Sequence, residues 1–305
     1  MNLKYISALI GVLVIAVLGY TFIHRSAPAE SAQKINVVAS FYPVYFFAQQ
    51  IGGDKVAVTN ITPAAAEPHD YEPTAQDIAQ IESSKMLVLS GGVESWGDKI
   101  KQNIDPNKTL IVSASDGLRT QDVTEEGQSV VDPHVWQSPL LAKKMVDAIE
   151  KGYETIDPSN AAYYKSNAET LKTQLDQLDA EFKQGLTSCA KKDIITSHAA
   201  FGYLATAYHL NQVPIAGLSP DAEPSPQQLA DIANFAKKNN VKIIFFESLV
   251  SPKLSQTIAS EVGAKTMVLD PIEGLSNNDL AAGKNYMTVM RENLANLESA
   301  LQCKP

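Results

Sequence analysis

Two stretches of this 305-residue chain can be laid over each other, and they decide its fold. Residues 37–48 read VVASFYPVYFFA and residues 194–205 read IITSHAAFGYLA; each is an apolar strand, then a serine, then a helix pattern. A second pair follows, EPTAQDIAQI at 72–81 and EPSPQQLADI at 223–232. Because strands alternate with helices in each half, the repeat predicts two α/β lobes of related topology.

The second pair also repeats a helix-capping pattern. Thr74 and Ser225 stand where an N-cap hydroxyl is wanted, and Asp77 and Gln228 follow three residues later as the reciprocal partners. Pro226 suits the first helical turn. We therefore predict that a helix begins at each of these places.

Each of these helices leads into a continuous apolar run, Met86–Leu89 in one half and Ile243–Phe246 in the other. Such runs are typical of parallel strands covered by helices on both faces. The predicted fold class is α/β, with one small doubly wound sheet in each lobe. One large sheet is the alternative.

The segment between the halves, residues 157–186, argues against one large sheet. Its apolar residues recur at spacings of three and four, the pattern of an amphipathic helix. A helix of roughly 27 residues would span about 40 Å and could join both lobes. We predict an N-terminal α/β lobe at 35–156, a linking helix at 157–188 and a C-terminal α/β lobe at 189–305.

An uncharged apolar run occupies residues 6–23, and Ala27-Pro28-Ala29 offers a small-x-small cleavage site after it. Its length suits either a signal-peptide core or a short membrane span. Residues 1–30 are therefore a signal peptide or a membrane anchor. We expect the remainder to be exported, to the periplasm or the outer face of the cytoplasmic membrane.

Composition limits the class of protein and its partners. The chain is 45% hydrophobic and 19% charged, which is typical of a globular protein with a sizeable core. Its formal net charge of -9 repels phosphate backbones, so no nucleic-acid partner is expected.

The only two cysteines are Cys189 and Cys303. An exported protein permits disulfides, and we predict that these two pair; two separate thiols are the alternative. The bridge would close a loop of about a hundred residues, worth on the order of 4 kcal/mol.

Three histidines and one aspartate follow predicted strands or the loops after them: His69, His134 after the loop at 116–131, His198 and Asp270. In open α/β sheets, ligands bind outside the carboxyl ends of the strands. Two of these residues come from each half, so a shared ligand would lie in the cleft between the lobes.

Three imidazoles and one carboxylate match a tetrahedral zinc site, whereas manganese would favour more oxygen donors. A capping or core role is the alternative for each histidine singly. We assign that role to His209, within a predicted helix at 199–210, and to His24 beside the apolar run.

Five segments of the chain resemble motifs of the metal-binding substrate-binding proteins of ABC transporters, zinc type. They are PHDYEPTAQDI at 68–78, DPHVWQSP at 132–139, TSHAAFGYLA at 196–205, GLSPDAEPSPQQL at 217–229 and LDPIEGL at 269–275. The resemblance implies two lobes joined by a rigid helix, with one divalent metal ion bound between them. It also implies delivery of that ion to an ABC transporter permease. We expect a monomer that is not an enzyme.

Carried over residue by residue, the resemblance implies that His69, His134 and His198 are the imidazole ligands and Asp270 the carboxylate ligand. Glu67 is the alternative fourth ligand. Manganese-type relatives carry Glu where this chain has His198, so Zn²⁺ is implied, with Mn²⁺ as the alternative. Many zinc-type members carry a histidine-rich loop that is missing here, since residues 117–130 contain acidic residues and no histidine.

Two further carboxylates can act beside the ligands. Asp132 and Glu247 could accept the second N–H of a ligating imidazole, or they could cap helices. A zinc hydrolase using Glu67 or Asp270 as base is one alternative, but the chain shows no helical ligand pair or nucleophile elbow to support it. A binder of an organic chelate, such as a siderophore or corrinoid, is another, and its cleft would be aromatic and basic instead of histidine-lined.

Overall fold

A parallel sheet and its covering helices form the first lobe. The computed structural model describes residues 34–125 and 127–304, so the predicted leader at 1–30 lies outside the described residues. Residues from Ile35 onward pack as one unit. The strands are β1 (Ile35–Ala39), β2 (Val56–Asn60), β3 (Met86–Leu89) and β4 (Leu110–Ser113), and the helices are α1 (Tyr42–Gly52), α2 (Ala75–Ser83) and α3 (Gly97–Asn103). The strand order is β2-β1-β3-β4, with every pair parallel.

An antiparallel hairpin follows, where the sequence predicted only a loop at 116–131. Its strands are β5 (Asp122–Glu125) and β6 (Gln128–Val131). Gly127 has a φ of 79° in the turn, a conformation that glycine adopts without steric cost. The loop prediction was therefore wrong over these residues, because β-branched residues flanking a glycine turn form strands even in so short a segment.

Two helices then connect the lobes, α4 (Pro139–Ile156) and α5 (Ala161–Leu186). The 26 residues of α5 give it a length of about 39 Å. It packs against α1 and α4 of the first lobe and against the C-terminal helix of the second. Its predicted apolar residues are buried except for Ala161, which is partly buried; the buried ones are Tyr164, Ala168, Leu171, Leu175, Leu178 and Phe182. The predicted long linking helix is confirmed.

The second lobe repeats the topology of the first. Its strands are β7 (Asp193–Thr196), β8 (Asn211–Pro214), β9 (Ile243–Phe246) and β10 (Lys265–Val268), and its helices are α6 (Gly202–Ala207), α7 (Pro226–Lys238), α8 (Lys253–Val262), α9 (Asn277–Ala281) and α10 (Tyr286–Leu301). Read from its β8 edge, the strand order is β8-β7-β9-β10. These are the second, first, third and fourth strands of the lobe in chain order, and the first sheet has the same arrangement. The predicted pair of related α/β lobes is thus confirmed.

Capping chemistry fixes where the repeated helices begin. The Thr74 hydroxyl accepts the Asp77 N–H, and the Asp77 carboxylate accepts the Thr74 N–H at 2.8 Å. Ser225 and Gln228 form the same reciprocal pair at the start of α7. Both predicted capping boxes are confirmed. Within residues 34–125 and 127–304, no helix has the length and apolar character that crossing a membrane requires.

The helix predicted at 199–210 is shorter than expected. Only Gly202–Ala207 is helical, and His209 lies beyond it, exposed and with a φ of 57°. The Leu210 N–H donates to the Ala205 carbonyl at 2.8 Å. This bond and the left-handed residue before it are typical of a helix C-terminus, and β8 begins at the next residue. The structural role predicted for His209 is compatible with this position, but not its place inside a helix.

A disulfide joins Cys189 to Cys303, as predicted. Backbone bonds on both sides of it hold the same two segments together, from Lys191 N–H to Leu301 O and from Lys304 N–H to Ser188 O. The bridge therefore ties the end of α10 to the residues that follow α5.

Reduction of this disulfide is expected to lower the free energy of unfolding by about 4 kcal/mol, because it frees a loop that spans 114 residues in the unfolded chain. Urea unfolding with and without reductant measures the change. A variant carrying Cys189→Ser and Cys303→Ser is the control, since it should not respond to reductant. Equal unfolding midpoints for the native protein under both conditions would contradict the expectation.

Candidate metal centre

Three histidines converge from separate loops at the carboxyl ends of the two sheets. His69 lies in the loop between β2 and α2, where its N–H donates to Glu67 Oε1 at 3.2 Å. His134 lies between β6 and a 3₁₀ turn at Val135–Gln137. His198 follows β7 directly. The loops that carry them come from both lobes, as the repeat predicts.

The donor atoms lie close enough to share one ion. The Nε2 atoms of His69 and His134 are 3.2 Å apart. Oε1 of Glu273 lies 3.3 Å from Nε2 of His69, 3.1 Å from that of His134 and 3.4 Å from that of His198. Among residues 34–125 and 127–304, these four residues form the group whose possible ligand atoms all lie within 4.8 Å of one another.

The carboxylate in this cluster is Glu273, and the predicted Asp270 is not part of it. Both Asp270 oxygens are already engaged: Oδ2 accepts the Ser248 hydroxyl, and Oδ1 accepts the Ile272 N–H at 2.7 Å. Asp270, predicted as the fourth ligand, lies outside this group of possible ligands. Burial, above all, raises the pKa of Asp270 to about 6. The motif LDPIEGL contained Glu273 as well, but nothing in its pattern shows which of the two carboxylates faces the histidines.

Glu67, the predicted alternative, lies beside the cluster without joining it. Its Oε1 accepts the His69 N–H and so fixes the loop that carries that histidine. Burial and the nearby negative charge of Glu273 raise the pKa of Glu67 to about 8. Glu67 is not among the residues whose possible ligand atoms lie within 4.8 Å of one another.

Asp132 and Glu247 lie against the outer nitrogens of two imidazoles. His134 Nδ1 is 2.8 Å from Asp132 Oδ1, and His198 Nδ1 is 2.7 Å from Glu247 Oε1. In these hydrogen bonds the imidazole donates from Nδ1 to the carboxylate. The lone pair of the neutral ring is then on Nε2, which faces the cluster. The Nε2 atom of His198 is buried and has no hydrogen-bond partner, so a cation would fill a position that the protein leaves unsatisfied.

The electrostatics of the cluster favour positive charge. Burial alone lowers the pKa of both inner histidines, but their carboxylate neighbours outweigh it: Asp132 and Glu273 raise the pKa of His134, and Glu247 and Glu273 hold that of His198 well above its usual value. Burial likewise raises the pKa of Glu273, but the imidazoles outweigh it and hold that pKa well below its usual value. In the metal-free protein, the imidazoles and the buried carboxylates therefore favour each other's charged forms.

This fold and this cluster define a class of protein. Two α/β lobes on one long helix, with three imidazoles and one carboxylate buried between them, are the architecture of a metal-binding solute-binding protein. The family model described as zinc-uptake complex component A, periplasmic, matches residues 37–300. The chain belongs to that family, and it is a zinc-binding component of an uptake system, not an enzyme.

Individual relatives agree with this assignment. The chain is 40% identical over 304 residues to the high-affinity zinc uptake system protein ZnuA of Bacillus subtilis (strain 168), covering 96% of this chain and 95% of that protein. The Zn(II)-bound ZnuA-like domain of Streptococcus pneumoniae AdcA superposes with a TM-score of 0.77 at 38% identity, covering 88% of this chain and 99% of that one. The laminin-binding protein Lmb of Streptococcus agalactiae superposes with a TM-score of 0.80 at 35% identity, covering 88% and 100%. The chain spans 55% of the whole S. pneumoniae lipoprotein AdcA.

Proposed function

We propose that this protein captures one Zn²⁺ ion with Nε2 of His69, His134 and His198 and the carboxylate of Glu273, and delivers it to an ABC transporter permease. The observation that carries the proposal is the convergence of these four donors within 4.8 Å of one another. Asp270 is not proposed as a ligand.

The donor set supports carriage of zinc over manganese. Three imidazole nitrogens with one carboxylate suit Zn²⁺, whereas Mn²⁺ prefers a site richer in oxygen. Four protein donors also close a tetrahedral sphere, leaving no position for an activated water. Burial supports retention of the ion, since His134, His198 and Glu273 are at most 1% exposed.

Asp132 and Glu247 have an orienting role in this proposal. Each accepts the Nδ1 proton of a ligating imidazole, which fixes the ring, selects the tautomer and makes Nε2 a stronger donor. Their negative charges also compensate the ion within the cleft. His69 has no such carboxylate contact among its described hydrogen bonds, and its side chain is 10% exposed.

The setting of the protein follows from the same proposal. It acts outside the cytoplasm as a monomer, without a nucleic-acid partner, and the apolar run at 6–23 either directs export or holds it at the outer face of the cytoplasmic membrane. The family description as periplasmic supports this location.

Metal titration tests the proposal. Metal-stripped protein is expected to bind one equivalent of Zn²⁺ and to hold it against an equal concentration of Mn²⁺. Zinc at a hundred times its dissociation constant adds about 2.7 kcal/mol to stability and should raise the melting temperature by at least about 5 °C. Mg²⁺ is the control and should leave it unchanged. Displacement of bound zinc by equimolar Mn²⁺ would refute the assignment to zinc.

A further inference from the structure

The loop at 270–274 brings Glu273 to the histidines, and its first residue is held rigidly. Asn293 on α10 accepts the Asp270 N–H with Oδ1 at 2.9 Å and donates Nδ2 to the Asp270 carbonyl at 2.6 Å. Asn293 is 1% exposed and Asp270 is 6% exposed. Both backbone hydrogen-bonding groups of Asp270 are therefore fixed by one buried side chain.

The middle of this loop carries an unusual backbone conformation. Ile272 has a φ of 61°, in the left-handed region that a β-branched residue rarely adopts, and its side chain is fully buried in the main core. Such a conformation persists only where the surroundings over-determine it. Here it directs the Ile272 side chain into the core while the next residue, Glu273, faces the imidazoles.

Neighbouring groups hold the loop from the other side. The Pro271 carbonyl accepts Trp136 Nε1–H at 2.7 Å and also Gln137 Nε2–H, so the loop is bound to the segment that directly follows His134. At Gly274, an added Cβ would lie 3.1 Å from the Leu249 side chain. The loop around Ile272 is therefore bonded to Trp136 and Gln137 and lies close to Leu249.

The side chain of Asp270 bonds directly to this turn. Its Oδ1 accepts the Ile272 N–H at 2.7 Å, a side-chain-to-backbone turn that replaces a backbone partner. Its Oδ2 accepts the Ser248 hydroxyl, which orients the carboxylate. Neither oxygen belongs to the group of possible metal ligands. Asp270 thus acts on the position of Glu273 while standing outside the cluster.

We propose that Asp270 is a positioning residue for metal binding, which holds Ile272 left-handed and so places the Glu273 carboxylate among the imidazoles. This inference rests on the proposed function, in which Glu273 is the fourth ligand. Without the acceptor at Oδ1, Ile272 relaxes to a negative φ, and the Glu273 carboxylate moves out of bonding reach of the ion.

A double-mutant cycle on zinc affinity tests the inference. Glu273→Gln is expected to raise the zinc dissociation constant at least tenfold. Asp270→Ala should raise it by a similar factor, and the double variant should bind no more weakly than Glu273→Gln alone, because Asp270 acts through Glu273. Asp270→Asn keeps an acceptor for the Ile272 N–H and should stay within about threefold of the parent. His209→Asn, at an exposed residue outside this loop, is the control and should also stay within that factor.

Each outcome decides one assignment. If the two single effects multiply in the double variant, Asp270 acts independently of Glu273 and the inference is overturned; the same holds if Asp270→Ala leaves affinity unchanged while Glu273→Gln weakens it. If Glu273→Gln has no effect, the fourth ligand of the proposed function fails, and this inference fails with it. If Asp270→Ala does not fold, Asp270→Ser replaces it, because serine makes the same turn more weakly. Its zinc dissociation constant should lie between those of Asp270→Asn and Glu273→Gln.

Discussion

His198→Ala is expected to weaken zinc binding by more than about a hundredfold. Zinc in a site with four protein ligands is bound by about 10–16 kcal/mol, so one ligand in four carries about 3 kcal/mol, and 1.4 kcal/mol corresponds to a factor of ten. The loss should exceed that of an exposed ligand, because His198 is fully buried and its removal also leaves the Glu247 carboxylate without its partner.

Competition with a chelator of known zinc affinity measures this loss. His209→Asn is the matched control: His209 is exposed, and asparagine tolerates its left-handed backbone, so zinc affinity should not change. The zinc-induced rise in melting temperature should disappear in His198→Ala at zinc concentrations that saturate the parent. A rise equal to that of the parent would show that His198 does not bind the ion.

Zinc affinity is expected to fall by up to about a hundredfold for each unit of pH between about pH 7.5 and pH 5.5. The pKa values of His134 and His198 are both raised in the metal-free protein, so zinc must displace a proton from each imidazole. Lower pH therefore opposes binding. The fall should begin above pH 6.5, the usual pKa of a free imidazole, because the carboxylates Asp132, Glu247 and Glu273 hold the protons in place.

The same pKa shifts determine how the stability of the metal-free protein changes with pH. The raised pKa values of the two imidazoles contribute stability to the metal-free protein that is fully present below 6.5 and is lost as pH rises through the folded values. The lowered pKa of Glu273 contributes stability that is present above 4.5 and is lost only as pH falls through its depressed value. The zinc-induced rise in melting temperature should consequently grow as pH increases.

Calorimetry in two buffers of different ionisation enthalpy counts the protons released per zinc bound. Release of about two is expected near neutral pH. Glu247→Gln is the matched variant, since it keeps an acceptor for His198 Nδ1 but removes the charge that raises the pKa, and it should release fewer protons. Zinc affinity that stays constant from pH 7.5 to pH 5.5 would contradict a site built on protonated imidazoles.

Much of this architecture could be predicted because it depends on local chemistry that occurs twice. Thr74 and Ser225 each begin a helix through the same capping box, and the apolar runs at 86–89 and 243–246 are the third strand of each sheet. His69 and His198 could be brought together for a related reason, since each follows a parallel strand at the carboxyl end of its sheet; His134 instead follows the antiparallel hairpin of β5 and β6.

The carboxylate could not be predicted because its position depends on tertiary contacts. Asp270 and Glu273 stand three residues apart in one motif, and Ile272 between them has a φ of 61°. Isoleucine gives no signal for such a conformation, which is imposed by buried partners such as Asn293 and Trp136 from distant parts of the chain. The early end of α6 before His209 was also missed, because histidine and not glycine occupies the left-handed position at the helix end.

The length of α5 lets a single helix contact both lobes. Because this helix of about 39 Å packs against both lobes, its straightness limits how far one lobe can turn against the other. The four candidate ligands lie on loops of both lobes, so a partner that bent this helix would change their spacing without any chemical step.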